Sequence, residues 1–113
     1  MKSNVIVTKN FEKNSKKLLK KYPSLKDDIS DLILKLEGNP RIGIPIGNNI
    51  YKIRVSISSK NKGKSAGARV FTYLKLNIMI GETDIFLLNI YDKSDISNIL
   101  KEEINQLIKE IEE

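Results

Sequence analysis

IYKIRVSISSKNKGKSAGARVFTY, residues 50 to 73, decides how this chain is read. Its first residues alternate. Tyr51, Ile53, Val55 and Ile57 share one side, and Lys52, Arg54 and Ser56 share the other. A period of two belongs to a half-buried strand, whose apolar side must be covered by something else. Residues 58 to 67, SSKNKGKSAG, are polar and glycine-bearing and read as a loop carrying Lys60, Lys62 and Lys64. A second strand, 68 to 80, sets Arg69, Phe71, Tyr73 and Lys75 on one face. Ala68, Val70, Thr72, Leu74 and Leu76 take the other. One hairpin thus gathers six cations, with Tyr73 just beyond them, and that is a surface suited to phosphate. The GKS inside the loop is not a P-loop. Position 58 is Ser where that motif needs Gly, and the loop leads into a strand, so no helix N-terminus faces a phosphate.

Upstream, residues 4 to 8, NVIVT, are short and β-branched and read as a strand. Thr8 or Asn10 then caps a helix in which Phe11, Ser15, Leu18 and Tyr22 recur at helical spacing. Pro23 ends it at Tyr22. Ser24 with Asp27 makes a near capping box for a second helix, with Ile29, Leu32, Ile33 and Leu36 on its apolar stripe and Gly38 as its C-cap. So short a link predicts an antiparallel helix pair. Residues 38 to 49, GNPRIGIPIGNN, hold too many glycines and prolines for any regular element.

Downstream, residues 81 to 84 read as a turn and 85 to 93, IFLLNIYDK, as a strand covered on both sides. Asn89, Tyr91 and Lys93 share a face at its polar end. Ser94 or Ser97 caps a last helix with the stripe Ile96, Leu100, Ile104, Leu107, Ile108 and Ile111. The order β-α-α-β-β-β-α predicts an α+β fold: an antiparallel-rich four-stranded sheet with its helices packed on one face.

The chain has 113 residues, which suits a single domain spanning 1 to 113. Its 40% hydrophobic and 30% charged residues fit a globular chain rather than a disordered one. There is no Cys, His or Trp. Disulfides, thiol nucleophiles, Cys/His zinc sites and a His general base are excluded, so any catalysis falls to Lys, Arg, Tyr, Asp, Glu or Ser. No apolar run approaches the roughly 20 residues of a membrane helix. The expectation is a soluble cytoplasmic protein. Charge is uneven: residues 1 to 80 hold 17 Lys and Arg against 5 Asp and Glu, and residues 81 to 113 hold 3 against 9. A basic body suggests an anionic partner, and the plain alternative is a solvated lysine-rich surface.

If the register is right, Arg69 joins Lys52 and Arg54 from the next strand, and Tyr91 and Lys93 join from the one after. RNA cleavage by its own 2′-hydroxyl needs no metal or cofactor. It needs one group to take a proton, cations for the pentacovalent phosphorane and a group to protonate the leaving oxygen. A lysine of lowered pKa and fixed arginines supply such groups, and an aromatic ring stacks on a base. The plain reading has Lys52 and Arg54 facing solvent and Tyr73 and Tyr91 as core aromatics. Spacing alone does not establish catalysis.

YKIR at 51 to 54, KGKSAGARVFTY at 62 to 73 and LLNIYDKSDIS at 87 to 97, in this order, resemble the RelE/HigB-like toxins of bacterial toxin–antitoxin modules. FEKNSKKLLKKYPSL at 11 to 25 and GNP at 38 to 40 extend the resemblance over nearly the whole chain. It implies a microbial-RNase-like α+β fold and a ribosome-dependent mRNA endonuclease, an mRNA interferase that cuts the codon in the ribosomal A site. It also implies a cognate antitoxin, of the helix-turn-helix HigA-like kind, that silences it. Carried over residue by residue, Arg54 and Arg69 match the strand arginines that bind the scissile phosphate. Lys62 and Lys64 match the loop lysines that contact the RNA backbone, one of them a possible base. Lys93 matches a residue that aids the leaving group and Tyr91 one that orients substrate. Lys52, Lys60 and Tyr73 complete the RNA-binding set. Where many relatives have Gly-Gly before the second strand, this chain has Ala66-Gly67, a stiffer backbone that puts the placement of Lys64 in question.

The rival readings are a ParE-like toxin acting on DNA gyrase, a non-catalytic nucleic-acid-binding module, and a degenerate toxin that still binds its antitoxin. The cluster of Lys52, Arg54, Arg69 and Lys93 argues for RNA over gyrase, because a gyrase inhibitor needs no phosphate-cleaving array.

Overall fold

The computed structural model describes residues 2 to 60, 67 to 94 and 101 to 112. In chain order the elements are β1 (Lys2–Val7), α1 (Lys9–Lys21), α2 (Leu25–Gly38), β2 (Ile44–Pro45), β3 (Ile50–Val55), β4 (Ala68–Asn77), β5 (Glu82–Asp92) and α3 (Lys101–Glu112). The fold is α+β. Lys62, Lys64, Ala66, Ile96, Ser97 and Leu100 lie outside the described residues, and so does the question of whether Ser97 caps the last helix. No helix among the described residues is long and apolar enough to cross a membrane.

The sheet has five strands, not four, in the order β1-β5-β4-β3-β2. The fifth is the short β2, inside the stretch expected to hold no regular element. It pairs Ile44 with Lys52 and Pro45 with Tyr51. Its pairing depends on Gly43, where φ is 106° and an added Cβ would lie 2.6 Å from Lys52 O. Glycine here lets two backbones meet, so a residue that breaks regular structure serves a strand pair. At the other edge β1 runs parallel to β5, from Lys2 opposite Glu82 to Val7 opposite Leu87. The three remaining pairings are antiparallel.

Local signals explain the first helix. Thr8 Oγ1 accepts from Phe11 N at 3.2 Å and donates to Leu87 O at 2.7 Å, so one side chain caps α1 and ties it to β5. The cap of α2 differs from expectation. Ser24 is helical at φ −66°, ψ −17° and makes no capping bond. Its Oγ instead donates to Ser59 Oγ at 2.9 Å and accepts from Ser59 N at 3.0 Å. Asp28 takes Ser58 N at 3.1 Å and Ser58 Oγ at 2.6 Å. The start of α2 thus holds the short 3-10 turn Ser58–Lys60 that opens the basic loop. Gly38 is the last helical residue, and Asn39 rather than Gly38 is the C-cap.

The helices do not all pack on one face. Phe11 and Leu18 of α1 and Leu25, Leu32 and Leu36 of α2 join Ile53, Val55, Val70, Leu74, Ile85 and Leu87 in one core. Ile104 of α3, with Leu107, Ile108 and Ile111, packs on Ile50, Phe71, Leu88 and Tyr91. By strand alternation these two cores lie on opposite sides of the sheet. The face read as polar carries an aromatic and aliphatic half that needs a cover, and α3 has the apolar stripe to supply it.

Two further boundaries move. β4 ends at Asn77, and the turn is at 78 to 81 rather than 81 to 84, so β5 starts at Glu82. The apolar Ile78, Met79 and Ile80 read as strand but lie exposed in that turn. A bulge also interrupts the β4–β5 ladder. Phe71 pairs with Asn89 and Thr72 with Leu87, leaving Leu88 as the extra residue.

Ile104 is 2% exposed and anchors α3. Ile104→Ala is expected to lower stability by about 2–4 kcal/mol, the range for emptying a buried aliphatic site. Urea denaturation measures this; a loss below about 1 kcal/mol would mean that α3 is not docked as described.

Candidate nucleic-acid site

The antiparallel register sets the site. Arg54 stands opposite Arg69 in β4, and Arg69 stands opposite Tyr91 in β5. One step along, Lys52 faces Phe71. Lys93 follows β5 directly, and its N–H donates to Gly67 O at 3.1 Å. A Cβ on Gly67 would overlap Val55 O, so glycine is required where the basic loop rejoins the sheet. The structure therefore brings Lys52, Arg54, Arg69, Tyr91 and Lys93 together across three strands.

Their electrostatics reflect that closeness. Burial lowers the Lys52 pKa from its ordinary 10.5, and Lys93, Arg69 and Arg54 lower it further. The Lys52 ammonium also lies 6.0 Å from the centre of the Phe71 ring. The Tyr91 phenol is pushed up by burial, and Arg69 partly offsets this.

Exposure differs from expectation at two residues. Arg69, expected on an exposed polar face, is only 4% exposed, and its Nη1 donates to Ala68 O at 3.2 Å. Tyr91 is 6% exposed and stacks on Phe71, with ring centres 6.2 Å apart. Its hydroxyl is buried and has no hydrogen-bond partner among the described residues. Tyr91 sits where α3 covers the second face, and strand alternation alone does not reveal that cover. Arg54 is exposed and borders a hollow of about 220 Å³ beside Asp28, Asp31 and Lys35 of α2. Lys52 and Lys93 are half-buried.

Tyr73 is not gathered into this cluster. Its ring packs on Phe86, with centres 6.2 Å apart, and its hydroxyl donates to Glu112 Oε1 at 3.0 Å. Burial, then Glu112, raises its pKa. It fastens the end of α3. Lys62 and Lys64 lie outside the described residues. The Lys60 backbone closes the 3-10 turn.

Sequence reasoning missed two residues. Phe71 is the ring against which both Lys52 and Tyr91 lie, and it had been noted only as one member of the Arg69 face. Asp92 is 1% exposed and accepts from Tyr22 OH at 2.8 Å and Ser94 N at 2.9 Å. An acid at the end of an apolar run was its signal. Among the described residues no three Asp or Glu side chains converge into a group that could hold a metal ion.

No family model matches this chain, and no curated protein does. The geometry is therefore what bears on function. Lys93, Arg69 and Arg54 lie close enough to Lys52 to act on it, and a cationic patch of this kind attracts phosphate.

The lowered pKa of Lys52, set first by burial and then by its cationic neighbours, carries a stability signature. The unfolded chain binds the Lys52 proton more tightly than the folded one, so the charged lysine subtracts from stability at neutral pH. The loss fades as pH rises toward 10.5. Lys52→Met should raise the melting temperature at pH 7, and by less at pH 10. An equal gain at both values would show that charge is not the cause.

Proposed function

We propose that this chain is a metal-independent endoribonuclease that cuts mRNA on the ribosome, the toxin of a toxin–antitoxin module of the RelE/HigB-like kind. One observation carries the reading: Lys52, Arg54, Arg69 and Lys93 meet beside Tyr91 on one face of the sheet, where burial and then the three neighbouring cations lower the Lys52 pKa. In the proposed mechanism the 2′-hydroxyl attacks the adjacent phosphorus. Lys52, with its lowered pKa, is placed to take the proton. Arg54 and the buried Arg69 hold the charge that grows on the phosphorane, and Lys93 protonates the leaving 5′-oxygen. Tyr91 orients the substrate from the edge of the cluster. Lys62 and Lys64 of the basic loop track the RNA backbone in this reading. No cofactor takes part, and the partners are the ribosome, mRNA and a helix-turn-helix antitoxin.

A second reading, a nucleic-acid-binding module that cleaves nothing, is favoured by the burial of Arg69 and Tyr91, which gives both a place in the core. Because Arg69 is buried, its truncation confounds folding with function. Arg54 is exposed and Lys52 half-buried, so these are the residues to change.

Inducing the chain in a bacterium and mapping mRNA 5′ ends tests the proposal. New ends inside translated codons are expected, and Arg54→Ala with Lys52→Ala should lower their yield at least about 100-fold, the scale of losing charge stabilisation and proton transfer. Growth arrest with intact mRNA would point to gyrase instead. No arrest and salt-sensitive RNA binding would favour the binding module.

A further inference from the structure

The edge of β5 changes character where β1 stops. β1 covers it only up to Leu87, the partner of Val7. Thr8 Oγ1 then takes Leu87 O, and Asn10 Nδ2 takes Leu88 O at 3.0 Å. Beyond that point a cavity of about 380 Å³ opens between α1, the end of β5 and α3. Leu18, Ile90 and Leu107 form apolar walls. Three amides line it: Asn10 and Asn14 from α1 and Asn89 from β5.

These amides have unused capacity. Asn10 Nδ2 is committed to Leu88 O and to Asn14 Oδ1, which leaves Asn14 Nδ2 as a donor and Asn10 Oδ1 as an acceptor. Asn89 is 4% exposed, and its Oδ1 is buried with no hydrogen-bond partner among the described residues. A buried acceptor without a donor is unfavourable, and an amino group entering the cavity would relieve it. Asn side chains paired with apolar walls are the chemistry that reads the edge of an unstacked base.

Charge is arranged to match. Lys17 lines the cavity, and Lys9, Lys13, Lys16 and Lys20 run along the same helix, all exposed. None of these five pairs with a carboxylate among the described residues. Lysines three and four apart repel one another on a helix, and Glu12 is the one acid on α1 to offset them. A phosphate backbone along α1 would remove that repulsion. Two carboxylates line the cavity, Glu103 on the α3 side and Asp92 at the end of β5, where it accepts from Tyr22 OH and Ser94 N, so a phosphate belongs at the Lys17 side. Tyr91 lines the cavity too and belongs to the cationic cluster, which makes the two places continuous.

We infer that this cavity is a subsite for one unstacked nucleotide of single-stranded RNA, its base held among Asn10, Asn14 and Asn89 and its phosphate by Lys17. The inference rests on the RNA reading proposed above and adds a base-recognising position outside the cleaving cluster.

The test uses the full chain, the four ribonucleoside 5′-monophosphates and a 2′-O-methyl decaribonucleotide that has no attacking hydroxyl. Amide NMR follows the Asn10, Asn14 and Asn89 side chains, and anisotropy follows the decamer. Saturable shifts at these three amides, with affinities that differ between bases, are expected. Asn14→Trp fills the cavity and should abolish them. Asn14→Ala should level the base preference, with roughly tenfold loss for the preferred base. Lys17→Ala should weaken all bases alike and lower the salt slope for the decamer by about 0.7. Lys52→Ala should weaken the decamer while mononucleotides still enter the cavity. If the decamer binds and Asn14→Trp binds it as the parent does, the subsite is wrong and the RNA reading stands. If the parent chain binds no RNA at all, the RNA reading fails and this inference falls with it.

Discussion

The register that sets Arg54 opposite Arg69 is the constraint on which the rest of the structure depends. Two like charges placed directly across a strand pair repel each other, and nothing about the guanidinium groups themselves favours the arrangement. The residues between them impose it. Ile53 pairs with Val70, and both lie in the core beneath α1 and α2. Slipping the register by one residue would turn each of these side chains to the wrong side of the sheet. The apolar pattern thus fixes where the cations sit, and burial, followed by the neighbouring Lys93, Arg69 and Arg54, lowers the pKa of Lys52 there.

The second face of the sheet is divided between two uses. Its aromatic half, with Phe71, Tyr73, Phe86 and Tyr91, is covered by α3 and fastened at the far end by the Tyr73–Glu112 hydrogen bond. Its cationic half continues from Lys52 to Lys93. Tyr91 stands on the boundary, stacked on one side and beside Arg69 on the other. A buried phenol without a hydrogen-bond partner is costly in an ordinary core, by about 1–3 kcal/mol.

The sequence made the local structure readable and left the long-range structure hidden. Alternation from Tyr51 to Ile57 separated core from cations correctly, because a period of two is written into adjacent residues. Thr8 and Pro23 bounded α1 for the same reason: caps and breakers act within a few positions. The α+β class followed from the order of elements. What stayed hidden depended on distant partners. The side of the sheet that α3 covers is set by contacts of Ile104 and Leu107, and those contacts bury Tyr91 and engage Tyr73. β2 exists because Gly43 admits the Lys52 backbone, while its own sequence only signals a break. Ser24 looked like a cap, yet Ser59, thirty-five residues away, competes for its hydroxyl.

The bulge at Leu88 has a consequence for how this chain tolerates change. Before it, Ile85 and Leu87 point to the α1 and α2 side; after it, Ile90 does, and Tyr91 turns to the other side. The parity of the strand changes at one residue. Removing a single residue there would keep the stretch just as hydrophobic. It would also let Asn89 follow Leu87 directly, opposite Phe71 and Thr72, so Tyr91, Asp92 and Lys93 would keep their faces. The bulge is therefore the place where this strand can lose a residue and still present the same side chains to each face. In the regular ladder on either side a change of one residue has no such slack, and there it turns the side chains that follow to the opposite face.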